Sequence, residues 1–305
     1  MKTLRYRAEA LLLYLLFLLF GLLPASWASA LGGLIGRSLG PHLAASRKAL
    51  RHIHAALPDK SRAECDEIIA GMWDNLGRII AEYPHLHTLS YPEYTQIIGM
   101  PHLAEALSNP NGAIFFGAHY GNWEINAPTT LIQCDEAIDI TYRPPNNPHA
   151  DKLLSKARSL GGRITAHAKS RQGGRDMINA LKKGRKLGIL IDQKYNEGLN
   201  VPFFGINAMT NPIFVQLAQK YGASLVPIRN TRLEGARFTL TIYEPLPVLD
   251  ENGAPRPVED VIKDAHALLE SWIREHPEQW LWLHRRWGIP KRLKTQPQST
   301  ENQEQ

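Results

Sequence analysis

In the stretch FFGAHYGNWE, residues 115 to 124, His119 and Glu124 stand five residues apart, after an apolar run and across a glycine. An imidazole and a carboxylate are the parts of a general-base couple. The carboxylate accepts the Nδ1–H, fixes the tautomer and leaves Nε2 free to take a proton. On one regular helix, five residues would separate the two side chains by about 140° in azimuth, too far to meet. With His119 on a turn and Glu124 on the first turn of a helix, contact is expected, and the helix amino end adds N–H groups for a developing oxyanion. A plainer reading stands beside it: a strand-terminal histidine bonded to a backbone carbonyl, and a first-turn glutamate favoured by the helix dipole. A metal centre is not indicated. No HExxH or close ligand cluster accompanies the pair, and the only cysteines, Cys65 and Cys134, form no CxxC.

The elements that must position these residues alternate along the middle of the chain. Apolar or β-branched runs at 113–117, 138–142, 186–191, 224–229 and 238–243 read as strands. Helical patterns fall between most of them, at about 122–132, 149–160, 174–183 and 212–221, the last entered through Asn211 and Pro212. This alternation predicts an α/β fold, a central mixed sheet flanked by helices. In such sheets functional groups gather at the carboxyl ends of strands, where His119 falls. Before the sheet, 41–57 and 61–86 read as helices. In the second, Ile68, Ile69, Met72, Leu76 and Ile79 recur at helical spacing, a core-facing stripe.

The amino terminus carries Lys2, Arg5 and Arg7 and then runs from Ala10 to Gly36 without a charge. That run is long enough to cross a hydrocarbon core of about 30 Å, with Pro24 kinking it, and the preceding charges put its amino end on the cytoplasmic side. Two other readings remain open. Ala28-Ser29-Ala30 resembles a signal-peptide cleavage site. Alternatively the segment enters the membrane, turns at Pro24 and leaves on the same side, keeping Arg37, Arg47, Lys48 and Arg51 cytoplasmic. The expected organisation is a membrane anchor over 1–40, a catalytic domain over 41–290 and a polar, disordered tail over 291–305. Lysine and arginine number 35 against 29 acidic residues, a net charge of +6 that suits anionic lipid or phosphate-bearing partners.

Several further residues have two readings each. Arg143 in TYRPPNNP and Arg158 in LLSKARSLGG are suited to bidentate phosphate binding, or to surface ion pairs. Asp192, at the end of LGILID, is either a functional strand-end carboxylate or a cap. Phe203, Phe204 and Gly205 either line an apolar groove or, as the aromatics suggest, belong to the core. Trp280, Trp282 and Trp287 either form an interfacial belt, with Arg285 and Arg286 on lipid phosphates, or pack on the sheet. His167 and His284 have no partner that spacing identifies.

The blocks GAHYGNWE, TYRPPNNP, ALKKGRKLGILIDQ, VPFFG and HPEQWLWLHRRW, in this order from about residue 65 to 290, together resemble the lipid A biosynthesis acyltransferases, the lauroyl and myristoyl transferases of Gram-negative bacteria. The resemblance implies a glycerolipid acyltransferase-like fold on an N-terminal membrane helix. It implies an inner-membrane enzyme with its active site on the cytoplasmic side, moving a fatty acyl chain from acyl carrier protein to a hydroxyl of a lipid A precursor. No cofactor, metal or nucleic acid is implied. The family's H-x-x-x-x-D/E motif carries over to His119 and Glu124 as the catalytic pair. Its functional arginine aligns with Arg158, with Arg143 a second candidate for substrate contact, and Asp192 and Gln193 become active-site elements. Direct transfer, without a covalent acyl-enzyme, follows from the chemistry expected of the pair. The same motif also serves acyltransferases with other glycolipid or phospholipid acceptors. Outside enzymes, a non-catalytic protein binding anionic lipid is the rival.

Overall fold

The structure, a computed structural model, describes residues 2–288. The expected tail over 291–305 lies outside the described residues. The strands among the described residues are β1 (Thr95–Ile98), β2 (Ala113–Gly117), β3 (Ile138–Tyr142), β4 (Ala166–Ala168), β5 (Lys186–Leu190), β6 (Leu199–Phe203), β7 (Ile206–Thr210), β8 (Ser224–Arg232) and β9 (Phe238–Ile242). The helices before the second strand are α1 (Lys2–Gly21), α2 (Ala25–Leu39), α3 (Ala44–Ala56), α4 (Arg62–Glu82), α5 (Leu86–Leu89) and α6 (Met100–Ser108). Those after it are α7 (Asn126–Cys134), α8 (Pro148–Arg158), α9 (Arg171–Lys182), α10 (Ile213–Tyr221) and α11 (Val258–Glu275).

Seven strands form one sheet in the order β1-β9-β8-β2-β5-β3-β4, and β6 and β7 form a separate antiparallel pair. Every neighbouring pair in the large sheet is parallel except β8 with β9. A mixed sheet covered on both faces was the expectation, and its central strand β2 is buried throughout, as a strand under two helical layers must be. On one face Phe115, Ile138, Val226 and Leu240 meet Leu103 of α6 and Ala127 and Leu131 of α7. On the other, Phe116, Leu187 and Leu225 join α10, α11 and the β6–β7 hairpin. The expected strands recur within a few residues. The short strands β1 and β4, the hairpin and the long helix α11 are elements that the sequence reading lacked.

The charge-free stretch Ala10 to Gly36 is not one helix. Pro24 separates α1 from α2, and no helix of the described residues is long and apolar enough to cross a membrane. The apolar part of α1, Ala10 to Gly21, rises only about 18 Å, short of the roughly 30 Å of a hydrocarbon core. The glycines of α2 act as contact points with α4. A Cβ on Gly36 would stand 2.0 Å from the Trp73 carbonyl oxygen and one on Gly32 2.4 Å from that of Gly77, so only glycine lets the two backbones approach so closely. α1 is tied to the body by Asn147, whose Nδ2 donates to the Tyr6 carbonyl (2.8 Å) and to Glu9 (3.1 Å) while its Oδ1 caps α8.

The tryptophans of the carboxyl-terminal block do not form an exposed belt. Trp280, Trp282 and Trp287 are buried, and so is Arg286, which donates to Thr210 and the Met209 carbonyl instead of meeting lipid phosphates. Phe203 and Phe204 are core residues packed on Trp287, on the sheet face away from His119's cavity. This corrects the groove reading of the two phenylalanines.

Candidate active site

β2 and β5 are adjacent and parallel, with Gly117 opposite Leu190. Two residues beyond each strand end, the chain places His119 opposite Asp192. His119 Nδ1 lies 2.8 Å from Asp192 Oδ1, and the His119 backbone N–H donates to Oδ2 at 2.9 Å. Trp280 Nε1 donates to the same oxygen at 2.8 Å. Burial by itself raises the Asp192 carboxyl pKa, but the imidazole of His119 and these donors override it and hold the group well below the usual carboxylate range. Asp192 is therefore ionised. In the neutral ring, the proton between the two therefore belongs to Nδ1 and the lone pair to Nε2.

That lone pair faces Gln193, whose Nε2 is 3.2 Å from His119 Nε2 and 3.3 Å from His284 Nε2. The side-chain amide must turn its NH2 group toward both rings, because His119 Nε2 can only accept. His284 then accepts as well. Its ring packs edge-on against His119 with centroids 4.7 Å apart, and burial lowers its pKa to about 4, so it is neutral at pH 7. The spacing of the sequence offered no partner for His284. The one signal lay in the chain's return: Leu281 N–H donates to the His119 carbonyl, and Tyr120 bridges to Trp280, so WLWLH is sewn onto AHYG.

Glu124 does not meet His119. It sits on a 3₁₀ turn, Trp123–Ile125, ahead of α7, and its carboxylate is gripped by Arg158, Nε to Oε2 at 2.7 Å and Nη2 to Oε1 at 2.6 Å. The Tyr83 hydroxyl donates to Oε1 at 2.6 Å and accepts from Arg158 Nη2 at 2.7 Å, and Trp123 Nε1 donates at 3.1 Å. Burial pushes the Glu124 pKa up, but the guanidinium and these donors outweigh it and leave the carboxyl below its ordinary value. The expected His119–Glu124 contact is thus replaced by two pairs, His119–Asp192 and Arg158–Glu124. The physical reason is the turn: Gly121, at φ +58° and with no room for a Cβ against the Asn230 carbonyl, swings Glu124 toward α8. The amides expected to be free at the helix start are also taken. Gly121 donates to the Gln279 carbonyl, Asn122 to Asn230 Oδ1 and Glu124 to Asn122 Oδ1.

Beneath the turn lies a buried ionic network. Glu82 of α4 forms a two-pronged pair with Arg232 of β8 (2.6 and 2.9 Å) and accepts from Ser29 of α2 and Asn122 of the turn. Arg232 also donates to Asn75, which holds the Gly121 carbonyl. Nothing in the spacing of these residues pointed to it.

His119, Glu124, Arg158 and Gln193 all line one cavity of about 490 Å3, with Arg143 and Lys169 among its other polar lining residues. The cavity reaches Leu13 and Phe17 of α1 on one side and Phe115, Ile138, Ile164 and Leu240 of the sheet core on another. Asp192 sits behind His119, wholly buried. All six residues singled out from the sequence thus belong to this region, Arg143 as an exposed residue of the wall. Among the described residues no group of three acidic, histidine or cysteine side chains is placed to hold a metal ion.

The chain is similar to known proteins over most of its length. The chain is 27% identical over 259 residues to the lipid A biosynthesis lauroyltransferase of Escherichia coli (strain K12), covering 79% of this chain and 80% of the relative. It is 26% identical over 270 residues both to the lipid A biosynthesis palmitoleoyltransferase of the same organism and to the lipid A biosynthesis acyltransferase of Shigella flexneri, covering 84% of this chain and 83% of each relative. The family model described as bacterial lipid A biosynthesis acyltransferase matches residues 1–288, the whole span in which the paired strand ends, the cavity and the amino-terminal helices are built, and the chain belongs to that family.

Proposed function

We propose that the protein transfers a fatty acyl chain from the thioester of acyl carrier protein to a hydroxyl on an acyl chain of a lipid A precursor, at the cytoplasmic face of the inner membrane. The observation that carries this reading is His119, locked at Nδ1 by a buried carboxylate and presenting Nε2 to a cavity that is largely apolar. An Nε2 lone pair engaged only by a displaceable side-chain amide, beside an apolar space, is what deprotonation of a lipid hydroxyl needs.

In the proposed reaction the acceptor hydroxyl displaces the Gln193 amide from His119 Nε2 and gives up its proton to that nitrogen as its oxygen attacks the thioester carbonyl. Asp192 stabilises the imidazolium that forms. The tetrahedral intermediate collapses, the carbon–sulfur bond breaks, and the imidazolium returns the proton to the departing thiolate. Ester and thiol leave, the enzyme is unchanged, and no covalent acyl-enzyme or cofactor is required. Arg158, held rigidly by Glu124 and Tyr83, supplies fixed positive charge at the cavity wall for the oxyanion or a substrate phosphate. Arg143 and Lys169 suit the phosphates of the glycolipid or of the carrier's phosphopantetheine arm.

Membrane contact through residues 1–40 is part of the proposal. α1, α2 and the turn between them point large apolar side chains outward, among them Leu11, Leu15, Leu18, Leu34 and, more than two-thirds exposed, Leu22 (77%) in the turn and Trp27 (70%). Two helices joined at Pro24 and lying in the interface accommodate these side chains without a full span. The cavity's contact with Leu13 and Phe17 would then open it toward the lipid phase.

The test offers purified enzyme acyl-carrier-protein and coenzyme A thioesters with a lipid A precursor or a lysophospholipid, and follows products by mass. The wild type is expected to acylate the lipid A precursor, and His119→Ala to lose turnover while still binding lipid vesicles. Acylation of the lysophospholipid alone would reassign the acceptor. Turnover unchanged in His119→Ala would refute the general base, and binding without turnover in the wild type would leave a lipid-binding protein.

A further inference from the structure

Gly188 stands in the middle of β5 without a conformational reason to be glycine. Its φ is not among the positive ones, and a glycine inside a strand costs about 0.5–1 kcal/mol relative to alanine. It is opposite Phe115 on one side and Ile140 on the other, both of which line the cavity, and it lines the cavity itself. On this face of the sheet it is therefore a missing side chain, and the space it leaves belongs to the cavity. A Cβ built there meets the Ile138 Cγ2 at 3.4 Å and the Asp139 carbonyl and Ile140 Cγ2 at 3.7 Å, all ordinary contacts. Gly117, the other glycine of this lining, differs, since its Cβ would strike the Ile228 carbonyl oxygen at 2.7 Å. Close backbone approach explains Gly117. Only the cavity explains Gly188.

Its position along the strands sets a distance. Phe115 is four residues before His119, so the Gly188 level lies roughly 13 Å down the sheet from the catalytic histidine at about 3.3 Å per residue. An extended alkyl chain, with carbon–carbon bonds of about 1.5 Å in zigzag, covers that distance in on the order of ten methylenes. We infer that Gly188 sets the length of the donor acyl chain, its absent side chain leaving room for the far end of the chain. The inference rests on the acyltransferase reading for its biological meaning. The cavity's length limit can be read without turnover.

The experiment compares the full-length wild type, Gly188→Ala and Gly188→Val in detergent. One arm measures displacement of a fluorescent fatty acid by saturated fatty acids that differ by one methylene, and a second measures transfer from the matching acyl-carrier-protein thioesters. The variants are expected to shift the preferred length downward, valine more than alanine, with each excluded methylene weakening binding of the longest chains about fourfold. Short chains should be unaffected. Alanine meets no atom closer than 3.4 Å and keeps the test open if valine fails to fold. An unchanged length preference, or an equal loss at all lengths with unaltered thermal stability, would overturn the inference. If the wild type transfers nothing yet the binding preference shifts as expected, the acyltransferase reading fails and the assignment of Gly188 stands.

Discussion

Replacing Asp192 with asparagine tests the site where structure and sequence spacing part. The carboxylate accepts three hydrogen bonds, from His119 Nδ1, the His119 backbone N–H and Trp280 Nε1. Asparagine has one acceptor oxygen for these three donors. If its oxygen faces the backbone amide and Trp280, its NH2 faces the ring, Nδ1 must accept, and the proton moves to Nε2. If it is flipped, NH2 is pressed against two N–H groups in a fully buried place, at a cost of about 1–3 kcal/mol. The first arrangement leaves less unsatisfied and would disable the proposed general base by reversing its tautomer. The corresponding substitution in serine-hydrolase triads lowers kcat about ten-thousand-fold. A loss of about a thousand- to ten-thousand-fold is expected here, roughly 4 to 5.5 kcal/mol of barrier.

The assay is acyl transfer to a lipid A precursor, paired with nitrogen-15 shifts of the His119 ring. Asp192→Asn should move the proton from Nδ1 to Nε2, while Glu124→Gln should leave the tautomer as it is. If Glu124→Gln reverses the tautomer and Asp192→Asn retains it with a rate within tenfold of wild type, the reasoning from the β2–β5 register is wrong.

Two other outcomes follow from the same geometry. Glu124→Gln or Arg158→Met alone strips the partner from a buried charge and is expected to cost about 3–5 kcal/mol in denaturant unfolding. The double variant should cost less than the sum of the two by about 0.5–3 kcal/mol, and strict additivity would refute the coupling. Stability should also fall as pH drops from about 6.5 to about 4. His52 and His266 are buried and His284 is partly buried, and desolvation holds all three near pKa 4, so in that window the unfolded chain binds protons that the folded one refuses. The sign is loss of stability with acid, complete once pH passes below the folded pKa. A thermal midpoint that is flat across this window, or that rises with acid, would contradict it.

How far the site was legible depended on whether a contact was local. The run Ala113 to Gly117, the strand ending at Asp192 and the helix entered at Asn211 are written in short-range pattern, and they emerged with small shifts in their bounds. His119 and Asp192 were each placed just past a strand end, yet nothing local says that those two strands are neighbours. Their pairing is a long-range property, set by which crossover helix covers which face. The 3₁₀ turn that carries Glu124 away, the Glu82–Arg232 network and the return of WLWLH onto AHYG are of the same kind. The apolar stretch before Gly36 reads either as a span kinked at Pro24 or as two segments turning there, and the backbone has two helices, α1 and α2, meeting at Pro24.

The exchange of partners also fits two carboxylates sharing a site with the proposed base. An imidazole flanked by two free carboxylates would be held as imidazolium, which has no lone pair to offer an acceptor hydroxyl. Here one of the two, Glu124, is neutralised in place by Arg158, with Tyr83 and Trp123 filling its remaining acceptor positions. The other, Asp192, takes its hydrogen bonds from His119 and Trp280 and is placed to answer the charge on His119 when the ring takes a proton. Arg158 would then act on the base through charge as well as on substrate. Five-residue spacing of histidine and glutamate is the visible mark of this arrangement, although the two side chains serve different partners.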